Sequence, residues 1–209
     1  MAQSLPLHAT IAVVGTGAMG AGIAQVAAAA GHTVKLMDNR PQAAQAAVAS
    51  IRAQFARLAE KGKLTQEAAH AASSRLVAVA TQSELADASL VIEAIVENLQ
   101  AKQDLYRGLE DIVGDDCIFG TNTSSISVTA IGAALKHSGR LAGLHFFNPA
   151  PLMALVEVVS GLATDPHVAE TLFATAHAWG KTPVHAKSTP GFIVNRVARP
   201  YYGLSLIHI

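Results

Sequence analysis

The sequence predicts an α/β fold in which a doubly wound, mainly parallel sheet carries an inserted helical hairpin and is followed by the start of an all-α C-terminal domain. Short apolar runs alternate with helical or turn stretches along most of the chain, which is the pattern of β-α-β units. The first apolar run ends in a glycine-rich turn, and an alanine-rich helical stretch follows the second run. Because such strands lie side by side and parallel, we expect helices on both faces of the sheet.

The composition is that of a globular chain with balanced charge. Among 209 residues, 15 are Lys or Arg and 15 are Asp or Glu, so the formal charge is zero. No basic stripe favours nucleic acid or an anionic membrane, and neither a secretory leader nor an apolar run of bilayer length is evident. The single cysteine, Cys117, excludes an internal disulfide framework, and we expect it to be buried in a strand. We therefore expect a cytoplasmic protein with small molecules or other subunits as partners.

The first element is a strand at Thr10 to Val14 that breaks into a G-x-G-x-x-G turn, followed by a helix from Ala18 to Ala30. Gly15 can form the tight turn, Gly17 lets the backbone approach a pyrophosphate, and Gly20 lets the helix pack closely on the sheet. A helix N-terminus stabilises the charge of a phosphate without a lysine. The turn therefore predicts a dinucleotide site in a Rossmann-like domain.

The next strand, Thr33 to Asp38, ends in an acid about 20 residues past the glycines, where such folds bind the ribose. A carboxylate at Asp38 accepts hydrogen bonds from the ribose hydroxyls and repels a 2′-phosphate. This favours NAD over NADP, although Arg40 could favour a phosphate. Alternatively, or in addition, Asp38 caps a helix that begins at Pro41.

The rest of the chain continues the alternation. A helix from Pro41 to about Leu58 and a second helix after a turn at residues 60–67 form the predicted hairpin. Ser188 to Gly191 is the clearest linker, so we expect a nucleotide-binding domain over residues 1–188 and the start of a helical domain over residues 189–209. The further strands are predicted at residues 75–80, 89–94, 117–120, 141–146, 155–160 and 182–185.

Polar residues follow several of these strands. Ser124 and its neighbours come after the strand that ends at Gly120, and they either face the cleft or cap the next helix. His145 and Asn148 stand at another strand end. No closely spaced histidine, cysteine or carboxylate cluster indicates a metal site.

Polar residues also occur in apolar segments and at a further strand end. Glu157 interrupts an apolar strand, so it is either paired, most suitably with an imidazole, or exposed on an edge strand. Glu93 and Glu97 stand at another strand end, where Glu97 pairs with Lys102 on the next helix or the position lies at the cofactor edge. Asn195 lies in an apolar helical stretch, where it is a buried amide or faces the cleft.

Together these segments resemble the 3-hydroxyacyl-CoA dehydrogenase family. The resemblance rests on the glycine turn and on four further motifs in order: residues 91–98, 122–125, 143–149 and 190–196. It implies an NAD domain followed by a helical domain that dimerises and closes over an acyl-CoA substrate, which is oxidised at its 3-hydroxyl group.

The resemblance also implies roles for single residues. His145 matches the catalytic base and Glu157 its orienting partner, while Ser124 and Asn195 match groups that contact the substrate near its reacting oxygen. The positions that match cofactor contacts, besides the glycines, are Met19, Asp38, Glu97, Lys102 and Asn148. Lys61 and Lys63 are loose candidates for coenzyme A contacts.

The C-terminal end departs from the family pattern. Residues 204–209 match nothing expected there, so we expect a truncated chain whose last residues are foreign. Two alternatives remain open: a catalytically incompetent NAD-binding fragment, and a related 3-hydroxyacid dehydrogenase that uses a catalytic lysine.

Overall fold

Eight strands and seven α-helices make up the part of the chain that the structure, a computed structural model, describes: residues 3–207. The strands are β1 (Thr10–Val14), β2 (Thr33–Met37), β3 (Leu76–Ala78), β4 (Ala88–Glu93), β5 (Ile118–Thr121), β6 (Leu141–Phe146), β7 (Leu155–Ser160) and β8 (Thr182–Lys187). The helices are α1 (Ala18–Ala30), α2 (Ala43–Glu60), α3 (Gln66–Ser74), α4 (Leu99–Glu110), α5 (Val128–Gly132), α6 (Pro166–Ala178) and α7 (Val194–Ile207).

All eight strands form one sheet in the order β3-β2-β1-β4-β5-β6-β7-β8. Every neighbouring pair is parallel except β6 and β7, which are antiparallel. The predicted doubly wound, mainly parallel sheet is thus confirmed. The antiparallel step matters for the site because it places His145 of β6 directly opposite Glu157 of β7.

Apolar residues pack on both faces of the sheet, as predicted. One core holds α1, the α2–α3 hairpin and α6, and the other holds α4 and α5. Side chains alternate between faces along a strand, so the neighbours of His145, Leu144 and Phe146, enter the first core. His145 and Glu157 project towards the second, beside the buried ring of Phe192.

Several bounds agree with the sequence and a few do not. Helix α1 and strands β6 and β7 have the predicted ends. The prediction that a helix begins at Pro41 is wrong, because Gln42 adopts a left-handed backbone with φ of 60° and α2 begins at Ala43. Asp38 therefore does not cap this helix. Cys117 is buried as expected but precedes β5, and burial raises the pKa of its thiol to about 12.

The inserted hairpin and the C-terminal helix have clear local causes. Helices α2 and α3 pack against each other, and the hydroxyl of Thr65 caps α3 by accepting a hydrogen bond from the amide of Ala68 at 3.1 Å. Helix α7 follows the predicted linker, and the boundary at residue 188 stays a prediction. The last two residues of the segment predicted to be foreign, 208 and 209, lie outside the described residues. Among the described helices, none combines the length and apolar character of a membrane span.

Candidate active site

The glycine turn leaves open space at the start of α1. Gly15 has a φ of 94°, and a Cβ added there would lie 2.5 Å from the carbonyl oxygen of Ala94. A Cβ on Gly20 would lie 1.8 Å from the carbonyl oxygen of Gly15, so both positions require glycine. A Cβ on Gly17 would meet nothing within 4 Å, and α1 carries no acidic residue in its first turn. These features fit a pyrophosphate held by the helix N-terminus.

Asp38 lies beside this turn at the end of β2. Its Oδ2 accepts hydrogen bonds from the amide and the hydroxyl of Thr16, at 2.8 and 2.7 Å. The guanidinium of Arg40 contacts both carboxylate oxygens, at 2.9 and 3.0 Å. The hydrogen bond from Arg40 is the main cause that holds the pKa of Asp38 well below its usual range, against the opposing effect of burial. Asp38 is therefore a fixed negative charge at the place expected for the ribose.

A buried ion pair supports the next strand end. The ammonium of Lys102 lies 2.6 Å from Oε1 of Glu93 and 3.3 Å from Oε2 of Glu97, and the side chain of Lys102 is only 1% exposed. Burial raises the pKa of Glu93, although Lys102 and the hydroxyl of Thr121 oppose this. The structure thus confirms the Glu97–Lys102 pairing. It also shows Glu93 as the closer partner of Lys102, a pairing that the sequence did not predict.

Glu97 organises the loop that carries Ser124. One of its carboxylate oxygens accepts hydrogen bonds from the hydroxyl of Thr123 and from the amides of Ser124 and Ser125, the last two at 3.0 and 3.2 Å. Burial raises the pKa of Glu97, but these hydrogen bonds and Lys102 outweigh it, so the net shift is downward. Ser127 caps α5, so the alternative that Ser124 caps this helix is wrong.

His145 and Glu157 form the pair that the position of Glu157 in an apolar strand predicted. Nδ1 of His145 lies 2.7 Å from Oε2 of Glu157. Glu157 is 0% exposed and β7 lies between β6 and β8, so the alternative of an exposed edge-strand glutamate is wrong. Its other oxygen, Oε1, accepts hydrogen bonds from the amides of Ile193 and Val194, at 3.0 and 2.9 Å. An ionised Glu157 fixes the tautomer with the proton on Nδ1, which leaves Nε2 for a second partner.

Asn195 joins this group from α7. Its amide nitrogen donates to the carbonyl oxygen of Ser124, at 3.3 Å. The structure therefore brings Ser124 and Asn195 together, while Asn148 is exposed just after β6. Phe192, which sequence reasoning assigned no role, packs against the ring of His145 at a centroid distance of 5.7 Å. Its aromatic character in the residue 190–196 motif was the available signal.

A cavity of about 870 Å³ lies between α1, the hairpin and the loop after β6. Asn148, Lys63 and Lys181 line it together with apolar side chains. Lys61 is exposed and does not line it, and Met19 lies on α1, packed against the first core. The two lysines suggested by the sequence thus have different surroundings.

Fold and site together indicate the nucleotide-binding domain of a dehydrogenase. A fixed acid and an open helix N-terminus suit a dinucleotide, and an imidazole on the same sheet can exchange a proton. A family model described as 3-hydroxyacyl-CoA dehydrogenase, NAD binding domain, matches residues 10–189. The chain belongs to this family. NAD is the corresponding cofactor, as the carboxylate at Asp38 predicted.

Individual relatives support the same family assignment. The chain is 52% identical over 193 residues to the 3-hydroxyadipyl-CoA dehydrogenase of Escherichia coli (strain K12), covering 92% of this chain and 41% of the relative. It is 42% identical to the human mitochondrial hydroxyacyl-coenzyme A dehydrogenase, covering 91% and 63%. A crystal structure of 3-hydroxybutyryl-CoA dehydrogenase from E. coli K12 superposes with a TM-score of 0.92 at 52% identity, covering 94% and 42%. The chain thus spans less than two thirds of the length of these curated relatives.

Proposed function

We propose that this chain is the NAD-binding part of an enzyme that oxidises an (S)-3-hydroxyacyl-CoA to the 3-oxoacyl-CoA. The observation that carries the proposal is the buried contact of His145 with Glu157, 2.7 Å between Nδ1 and Oε2, on the sheet that also carries the glycine turn. A base held in one tautomer, on the sheet that carries a dinucleotide site, is suited to the removal of a hydroxyl proton. The names of the relatives support the acyl-CoA substrate.

In the proposed reaction, Nε2 of His145 accepts the proton of the 3-hydroxyl group. The carbon–oxygen double bond forms as this proton leaves, and NAD, when bound, would accept the hydride from C3. Glu157 stabilises the imidazolium that results, because its carboxylate faces Nδ1. In the reverse direction His145 returns the proton to the oxygen.

Ser124 and Asn195 are proposed to contact the reacting oxygen. The hydrogen bond from the Asn195 side-chain amide to the main-chain carbonyl of Ser124 links two different elements, which supports a shared role. Polar donors at the reacting oxygen would stabilise the charge that develops on it.

The cofactor contacts are proposed to come from the glycine turn, Met19, Asp38, Glu97 and Asn148. Bound NAD would supply the hydride acceptor, while this chain binds and orients it. Lys102 was predicted as a further contact, but its burial against two carboxylates supports a role in holding Glu97 in place.

The substrate chain length, the homodimer and the cytoplasmic location also stay predictions. The relatives named for 3-hydroxyadipyl-CoA and 3-hydroxybutyryl-CoA support a short acyl chain. Exposed apolar side chains on α7, among them Val197 and Tyr201, support a partner surface in that region.

Loss of absorbance at 340 nm with acetoacetyl-CoA and NADH tests the proposal. The assay compares this chain with a form extended through a helical domain such as the family implies. Turnover by the extended form alone would support the dehydrogenase and make this chain a cofactor-binding fragment. If neither form consumes NADH, the proposed substrate class is wrong.

Replacing His145 by Gln tests the role of the base. We expect turnover of the extended form to fall by about 10²–10⁴-fold, the usual contribution of a general base. NADH affinity, measured by fluorescence titration, should stay nearly unchanged because His145 is not a proposed cofactor contact. Equal turnover in the variant would remove His145 from the mechanism.

A further inference from the structure

The turn that leads into α7 has an unusual backbone. Phe192 has a φ of 49° and follows Gly191, whose φ is 75°. Within residues 3–207, Phe192 and Gln42 are the non-glycine residues with positive φ. A bulky side chain in this region costs about 1–2 kcal/mol, and such strain persists only where the surrounding structure holds it.

The ring of Phe192 contacts the proposed base directly. It is 3% exposed and meets the His145 ring edge to face, with 5.7 Å between the centroids and 64° between the planes. Phe147 contacts the same imidazole, at 4.5 Å. Edge-to-face packing of this kind restricts the orientation of a ring.

The backbone after Phe192 contacts the partner of the base. The two amides that follow, of Ile193 and Val194, both donate to Oε1 of Glu157, while Oε2 faces His145. The turn is closed by a hydrogen bond from the amide of Phe192 to the carbonyl oxygen of Thr189, at 2.9 Å. The left-handed conformation at Phe192 directs the chain so that two successive amides reach one carboxylate oxygen.

We propose that Phe192 is a positioning residue for the His145–Glu157 pair. Its ring fixes the plane of the imidazole, and its backbone aims two amides that hold the carboxylate against Nδ1. The sheet places the two residues opposite each other, and the segment from the linker into α7 adds the contacts that hold their side chains in position. The importance of this positioning for catalysis rests on the proposed function, but the effect of Phe192 on the His145–Glu157 pair can be measured without an activity assay.

Proton NMR of the uniformly ¹⁵N-labelled 209-residue chain tests the proposal through the Nδ1–H proton of His145. Glu157→Gln identifies the resonance, because the hydrogen bond to a carboxylate is then lost. Phe192→Gly removes the ring but permits positive φ, whereas Phe192→Val retains an apolar side chain that disfavours positive φ. Phe119→Leu is the matched control, since Phe119 is also a fully buried ring of the same core.

We expect solvent exchange of this proton to become faster by about tenfold or more in both Phe192 variants, the equivalent of one hydrogen bond. Phe119→Leu should lower the unfolding temperature and leave the exchange rate within about twofold of the original. An unchanged rate in Phe192→Gly overturns the proposal, whether or not Phe192→Val folds. A rate in Phe119→Leu as fast as in Phe192→Gly also overturns it, because the effect is then general destabilisation. Absence of acyl-CoA turnover would refute the proposed function without altering this result.

Discussion

Replacement of Lys102 by Met should destabilise the fold, because it leaves the buried carboxylate of Glu93 without its cation. Glu93 is 0% exposed, and Lys102 supplies its cation at 2.6 Å. Without that cation, the remaining partners of Glu93 are the hydroxyl of Thr121 at 2.8 Å and the amide of Ile95. Met fills a similar volume, so the change removes charge more than it removes packing.

The expected magnitude follows from burial. Removing one partner of a buried ion pair usually costs about 3–5 kcal/mol, because an uncompensated charge stays in the interior. The two remaining hydrogen bonds to Glu93 offset part of this cost, so we expect about 3 kcal/mol at pH 7. Replacing Glu93 by Gln in the same chain removes the charge itself, and the double variant should recover to within about 1 kcal/mol of the original.

Urea unfolding followed by circular dichroism measures the free energy of unfolding of each chain, and the double-mutant cycle gives the coupling. Burial raises the pKa of Glu93, and loss of Lys102 should raise it further. A carboxyl whose pKa is raised on folding contributes stability below its unfolded value, about 4.3, and loses it as pH rises through the folded value. The penalty of Lys102→Met should therefore be smaller at pH 5 than at pH 7.

Two results would refute this reasoning. A penalty below about 1 kcal/mol at pH 7 would mean that Glu93 is solvated or already protonated without Lys102. A double variant no more stable than Lys102→Met would mean that packing, rather than charge, is the role of Lys102.

Other positions make separate predictions. Gly17→Ala should keep the original free energy of unfolding, since the backbone there is extended and unobstructed, but it should bind NADH about tenfold more weakly. Gly20→Ala should instead lower the free energy of unfolding by about 1–3 kcal/mol. Undiminished NADH affinity in Gly17→Ala, by fluorescence titration, would contradict the pyrophosphate position. Asp38→Ser should shift the ratio of NADPH to NADH affinity upward by about tenfold, because a repulsive charge is removed; an unchanged ratio would contradict the ribose assignment. Lys63→Ala should weaken coenzyme A binding about fivefold, as measured by calorimetry, because Lys63 lines the cavity. Lys61→Ala should weaken it less, because Lys61 does not line the cavity, and equal effects of the two variants would contradict this.

The sequence predicts the sheet well because its signals there are local. Strands β6 and β7 are apolar runs bounded by turn residues, and the structure gives them the predicted ends. The start of α2 was wrong for an equally local reason: Pro41 is a common first residue of helices, but the left-handed backbone of Gln42 delays the helix. Nothing in the identity of a glutamine indicates positive φ.

The candidate site was predictable where a charged residue interrupted an apolar segment. Glu157 in an apolar strand required a partner, and burial in the structure confirms that argument. The Glu93–Lys102 pair was not predictable in the same way. These residues lie nine positions apart on a strand and a helix, and their contact depends on how α4 packs over β4. The conformation of Phe192 likewise depends on what the turn contacts.

The acids of the site share a feature that residue types cannot show. Asp38, Glu93, Glu97 and Glu157 each accept at least one hydrogen bond from a backbone amide. A carboxylate that binds amides holds the position of a loop whatever side chains that loop carries. Backbone geometry can therefore set the positions of the polar groups of the candidate site. A sequence records which acids are present, but the direction of an amide is fixed only by the folded backbone. Matching of motifs therefore finds His145, Ser124 and Glu97, but the hydrogen bonds by which Glu97 and the turn at Phe192 hold their neighbours are evident only in the folded chain.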